Sequence, residues 1–267
     1  MNYLKLYGRY IVIVLKSRME YRFSFFMDIL IHIFMYVINY AALWIIFNKF
    51  NNIQGWSFYE VMFLYNLNLF SYGVCGLFLW SPMQRLEGMV QNGGFDSLLI
   101  RPIHSFWHLV FRQFNYSFLG HVILAFIIFQ VSLSKLDIGW SFYRVIVLII
   151  VILGGILIQS GIMILAASVS FWIVRSSSTV NTAIYGLRSF LDYPISIYSR
   201  WVQVLLTFIV PYAFVNFYPA GLFLKKDGIN IFHPILQYGT PFVGIILFYI
   251  AMKVWSLGVR KYQSTGS

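Results

Sequence analysis

The chain has 267 residues, of which 60% are hydrophobic, 20% aromatic and only 10% charged. Soluble domains carry about 25% charged residues, so this composition excludes a water-soluble fold. The formal net charge of +11 would point to nucleic acid in a soluble protein. In a membrane protein, an excess of Lys and Arg in cytoplasmic loops accounts for it.

Residues 1–24 read as an interfacial helix. At about 100° per residue, Lys5, Arg9, Lys16 and Glu20 fall within an arc of about 60°. Leu4, Leu6, Tyr7, Ile11, Val14 and Leu15 lie elsewhere round the wheel. A helix with such a charged face lies in the cytoplasmic interface rather than across the bilayer. No cleavable signal peptide is expected, because the first strong apolar run is too long and no small-residue cleavage site follows it.

Crossing the hydrocarbon takes about 20 residues. Spans are predicted at Phe25–Phe47, Phe58–Trp80, Phe114–Leu133, Val145–Val174 and Tyr238–Leu257. Between the fourth and the last, Ser176–Tyr193 is mildly apolar, and Val202–Leu224 is strongly apolar but expected to be broken by both Pro211 and Pro219. One of the two crosses, which makes the fold all-α with six transmembrane helices. The polar interval 81–112 falls short of the roughly 40 residues a soluble module needs, so the chain reads as one membrane domain over 1–267.

With both ends on one side, Lys5, Arg9, Lys16, Arg18, Arg22, Arg85, Arg101, Arg112, Arg175, Lys253, Arg260 and Lys261 share a face. Only Lys49, Lys135, Arg144, Lys225 and Lys226 fall opposite, with Arg188 and Arg200 unassigned. The basic side is the cytoplasm, which holds both termini.

Inside the 81–112 segment lies a hinge, Gln91 to Ile103. Gly93-Gly94 suits a helix stop, since glycine takes the left-handed conformation. Asp96 is expected to cap a short turn carrying Leu98 and Leu99. Pro102 disfavours helix at Arg101 and closes the unit.

Catalytic chemistry finds no foothold. No lysine stands in a Gly-Lys-Ser/Thr phosphate loop, and no Ser-His-Asp, paired-carboxylate or Cys-His constellation stands out. An ion-driven carrier would show charges deep in its spans. Here Asp28 and Glu60 sit near span ends, and the mid-span polar residues are Asn39, Asn66, Asn68, His121 and Gln159. His104 and His108 stand four apart and flank Trp107 at the interface, without an acidic or thiol neighbour at ligand spacing. Cys75 lies in an apolar run and has no partner for a disulfide. Gly154, Gly161 and Ser168 recur every seven residues on the fourth span, a smooth stripe for close helix approach. Arg188 and Asp192 have the spacing of a helical ion pair.

The stretch Gly94-Phe-Asp-Ser-Leu-Leu-Ile-Arg-Pro-Ile103 resembles the Gly-x-Asp-x-x-Leu-Leu-x-Arg-Pro signature that follows the second span in one branch of the ABC-2 type permeases. Ser170-Phe-Trp172, Tyr193-Pro-Ile-Ser-Ile-Tyr198, Ile209-Val-Pro211 and Tyr218-Pro-Ala220 resemble the same branch. Where the branch often has a second proline after the Ile-Tyr pair, this chain has Ser199-Arg200.

The resemblance implies a permease subunit of an ATP-driven exporter in the bacterial cytoplasmic membrane. It would work with a second permease subunit, alike or different, and with separate cytoplasmic ATPase subunits. This chain would bind no cofactor, and ATP and Mg would belong to the partner ATPase. Segment 81–112 would be the coupling element, with Glu87, Asp96, Leu98, Leu99, Arg101 and Pro102 at the ATPase and both leucines as buried anchors. Residues 194–236, with Pro194, Pro211 and Pro219, would be an extracellular re-entrant hairpin, which makes Ser176–Tyr193 the fifth span. A non-transporting membrane scaffold or immunity protein and an ion-coupled carrier stay open as alternatives.

Overall fold

The helix that starts behind Ser57 forms the axis of the protein, because its faces are the most completely covered. The computed structural model describes residues 3–101, 104–173, 186–226 and 231–263, with side chains from Tyr7 onward. In this axial helix, Phe58–Gln91, 83% of the most apolar 18-residue stretch is buried, against 11% in Arg22–Phe50. In chain order the helices are α1 (Tyr3–Met19), α2 (Arg22–Phe50), α3 (Phe58–Gln91), α4 (Asp96–Leu99) and α5 (Ser105–Phe111). Then come α6 (Leu119–Lys135), α7 (Phe142–Ser168), α8 (Arg200–Val204), α9 (Phe217–Leu224) and α10 (Thr240–Lys261). No strand occurs among the described residues. Five helices, α2, α3, α6, α7 and α10, are long and apolar enough to cross a membrane.

Hydropathy alone ends the second span at Trp80, but α3 runs about three turns further, through Pro82. Met83, Leu86 and Val90 continue a buried apolar row on one face, while Gln84 and Arg85 are exposed on another. The average hydropathy falls there while the amphipathic helix persists. At its other end, Ser57 donates its backbone N–H to the Glu60 carboxylate at 2.8 Å, a helix-start contact.

The apolar helices close on one another through small residues. A Cβ on Gly244 of α10 would stand 2.6 Å from the Gly154 carbonyl oxygen of α7, and one on Gly154 would stand 3.0 Å from Pro241. Gly161 faces Leu247 of α10 at 3.0 Å in the same sense. Ser168 is fully buried and donates its hydroxyl to the Ile164 carbonyl at 2.7 Å, within its own helix.

Mid-span polar groups satisfy one another across helices. Asn66 donates to the Ala125 carbonyl at 2.9 Å and accepts from the Tyr40 hydroxyl at 3.0 Å. Gln159 donates to Asn68 at 2.9 Å, and Asn39 to the Tyr65 hydroxyl at 3.2 Å. Such bonds contribute about 0.6–2 kcal/mol each within a bilayer, so they set register more than total stability.

Beyond α7 the chain is irregular. Most of the expected fifth span Ser176–Tyr193 lies outside the described residues, but its end is on view: a helical turn at 186–189 passes into a 3-10 turn, Phe190–Asp192. Arg188 forms no direct ion pair with Asp192. Its guanidinium lies 3.4 Å from the centre of the Tyr72 ring and donates to the Tyr36 hydroxyl at 3.4 Å.

Arg200–Ile209 and Tyr212–Leu224 then meet at a 78° bend centred on Pro211. Pro219 is not a breaker, contrary to the expectation from sequence. It is the third residue of α9, where the N–H it lacks would have no intrahelical partner. Arg200, at the start of the pair, donates to the Ile231 carbonyl at 2.9 Å. Lys226, just past its end, pairs with Glu60 at 2.9 Å and donates to the Gly55 carbonyl at 2.6 Å.

Candidate functional site

The hinge is built as a plug with one wet face. Gly93, at φ +68°, turns the chain just after α3 ends. The Phe95 N–H then reaches back to the Met89 carbonyl at 3.1 Å. Phe95 is fully buried among Phe171 at 5.2 Å, Tyr262 at 5.1 Å and Trp255 at 6.2 Å between ring centres. This ring anchors the start of α4. Asp96 is therefore the first helical residue and not its cap, since Phe95 before it already holds helical dihedrals (φ −67°, ψ −28°).

Leu98 faces inward and is 0% exposed, in one cluster with Phe95, Phe106, Leu109, Phe171 and Trp255. Of the two leucines expected as anchors, Leu98 is therefore packed into the chain's own core. Leu99 is 44% exposed, and Ile100, absent from the sequence-based set, is 83% exposed. Helical geometry explains the split, because consecutive residues on one turn point about 100° apart. Arg101 is exposed beside them, Asp96 is half-buried, and Pro102 lies outside the described residues. Glu87, one turn before the end of α3, accepts from the Gln91 side chain at 2.8 Å.

The short helix α5 roofs the plug. Trp255 of α10 packs on Phe106 at 5.3 Å and reaches Ser105 at 3.5 Å. His108 is buried and His104 exposed, so the two imidazoles do not face one ligand. Burial, aided by Arg112 and Arg101, holds the His108 imidazole below its ordinary pKa. The plug thus touches α3, the 3-10 turn Val169–Phe171 that continues α7, and the end of α10 through Trp255. Its inner face is held against three long helices by close-packed rings.

The first helix stands beside this end. Tyr7 stacks near Phe111 at 4.6 Å and Phe78 at 6.1 Å. Ile11, Val14 and Leu15 follow on the same face, while Arg9, Lys16 and Glu20 are exposed together with Val12 and Ile13. Pro194 begins a 3-10 turn, Ile195–Ile197, whose Ile195 is fully buried. With Pro211 and Pro219 it belongs to the bent region remote from the hinge.

No curated protein and no solved structure matches this chain. The model of the ABC-2 family transporter protein family matches residues 33–266, nearly all of the multi-helix body. A multi-pass helical body with that match identifies the chain as a transmembrane permease belonging to the ABC-2 transporter family.

Proposed function

We infer that the chain is a permease subunit of an ATP-driven exporter in a bacterial cytoplasmic membrane, paired with a second permease subunit and driven by separate ATPase subunits. The observation that carries this reading is the family match over residues 33–266. A hinge whose inner face is locked to three long helices adds to it, since its outer face offers Leu99, Ile100 and Arg101. Leu99 and Ile100 enter a groove on the ATPase, and Arg101 and Asp96 set the register. ATP and Mg bind in the ATPase. Its closure pushes the hinge, and the hinge carries the motion into α3, α7 and α10 as a rigid-body shift. This chain supplies the path and no catalytic group.

Six crossings complete the reading, with both termini and the hinge in the cytoplasm, α1 lying along the inner interface and Ser176–Tyr193 as the fifth span. The pair Arg200–Leu224 then dips into the outer leaflet and returns. What supports the hairpin is where its ends go. Arg200 bonds to Ile231, which follows Lys226 by five residues, and Lys226 bonds to Glu60 and Gly55, so the two ends are tied together by a link of at most about 18 Å. A single crossing of that length would separate them by about 30 Å.

Affinity purification of the tagged chain from its native membranes tests the reading. A phosphate-loop ATPase should co-purify in near-equal amount, and Asp96→Ala or Arg101→Ala should reduce its recovery or uncouple hydrolysis from transport. Recovery of no ATPase would overturn the assignment and favour a non-transporting scaffold.

A further inference from the structure

Near the hinge end lies a second constructed feature, a polar cleft of about 370 Å³ where α1, α2, α3 and the stretch after α5 converge. Three arginines line it, each from a different element: Arg18 from the end of α1, Arg85 from the extension of α3, and Arg112 from the end of α5. Among the described residues, none of the three forms an ion pair. The one carboxylate in the cleft, Asp28, accepts the Tyr116 hydroxyl. The Arg18 guanidinium stands 5.7 Å from the Tyr116 ring centre, which fixes where that charge points.

The walls of the cleft are mainly polar, and a small apolar cluster lies behind Tyr116 and Phe114. Phe25 stacks on Tyr116 at 4.8 Å, and Ile29, Leu15 and Phe114 pack with them. A basic, polar cleft edged by Val14 and Phe114, at the end of the bundle where spanning helices meet polar loops, fits a phosphate headgroup whose chains remain in the adjoining lipid. Guanidinium groups match phosphate oxygens in pairs, more closely than a point charge does. The size agrees, since a void near Arg188, at about 30 Å³, holds no more than a water, while this cleft has room for a phosphate ester.

We propose that the Arg18–Arg85–Arg112 cleft binds a phosphate group, carried on the headgroup of an anionic phospholipid drawn from the adjoining leaflet. α1 and the α3 extension would then be pinned to each other through the bound headgroup, beside the hinge. Binding itself rests on this cleft alone, and only its assignment to the inner leaflet rests on the hinge facing the cytoplasm.

The test uses the delipidated full-length chain in an uncharged detergent, with binding isotherms for dihexanoyl phosphatidic acid, dihexanoyl phosphatidylcholine and inorganic phosphate. Saturable binding of the phosphatidic acid, at least tenfold tighter than of phosphatidylcholine, is expected. Arg85→Gln and Arg112→Gln should each weaken it about fivefold, the scale of one basic residue at an anionic surface, while Arg144→Gln at the other end leaves it unchanged. Arg85→Lys, which keeps the charge, should recover part of the loss and separates lost binding from a folding defect. Inorganic phosphate binding as tightly as the lipid would keep the phosphate site and make its occupant a soluble anion. Equal affinity of wild type and the glutamine variants for phosphatidic acid would overturn the proposal. So would glutamine variants that lose only ATPase recovery, because the arginines would then belong to a protein contact.

Discussion

Aspartate at position 98 and aspartate at position 99 test two roles that one short turn holds side by side. Leu98 sits among Phe95, Phe106 and Trp255 with no exposed surface, so Leu98→Asp buries an unpaired charge. A stability loss of about 3–5 kcal/mol follows, seen as a lower melting temperature and poorer recovery from detergent. Leu99→Asp and Ile100→Asp alter side chains that are 44% and 83% exposed, so melting should hold within a degree or two while ATPase recovery falls. Full burial of an isoleucine contributes about 1.5–3 kcal/mol, so the Ile100 change alone should weaken docking at least tenfold. Equal melting temperatures for all three variants would contradict the inward setting of Leu98. The motif made the leucine pair legible, but not the split between them. That split depends on where Phe95 is drawn, and Phe95 is drawn in by Phe171 and Trp255, far away in sequence.

Helix pairing is the next scale, and glycine positions govern it. Gly244→Ala places a methyl 2.6 Å from the Gly154 carbonyl oxygen, which forces α7 and α10 apart. Overpacking of this kind costs about 1–3 kcal/mol, so the variant should melt several degrees lower than Ile245→Ala on the exposed face of the same helix. Equal melting of the two would refute the close approach. The sequence pattern offered Gly154, Gly161 and Ser168 as a stripe, yet it could not name the helix that meets it. Gly244, the nearest neighbour across the interface, was outside the pattern altogether. The bent pair Arg200–Ile209 and Tyr212–Leu224 follows the same logic. Its prolines flagged a break, and only Pro211 makes one. A cysteine at exposed Ser199, in a chain whose Cys75 is replaced, should react with an impermeant thiol reagent in intact cells. Protection of Ser199→Cys in cells, with labelling after permeabilisation, would make Arg200–Leu224 a crossing instead of a hairpin.

For the whole molecule the open quantity is sidedness, and charge decides it. The basic residues of α1, of the α3 extension, of the hinge and of the last turn of α10 gather at one end of the bundle. The positive-inside rule is the ground for the proposal that this end lies in the cytoplasm. In the same Cys75-replaced background, a cysteine at exposed Gln54 in the α2–α3 turn should label from outside, and one at exposed Asn92 should not. The reverse pattern would turn the whole bundle over in the membrane. With only 11% of its most apolar stretch buried, α2 is the least covered of the five long apolar helices.

Composition and periodicity by themselves determined the class and the five long apolar helices, and the hinge motif carried the family resemblance, because each of these depends on runs of residues that are local in the chain. The hinge, too, announced its place through Gly93, where a backbone conformation open to glycine ends a helix whatever surrounds it. Tertiary structure alone decided which hinge leucine is inside, that Arg188 contacts Tyr36 and Tyr72 with no direct ion pair to Asp192, and that Arg18, Arg85 and Arg112 share one cleft. Those outcomes depend on contacts between residues tens of positions apart. A side chain's partner there is set by which helix faces fit together, and no periodicity within one segment encodes the neighbour that another segment will bring.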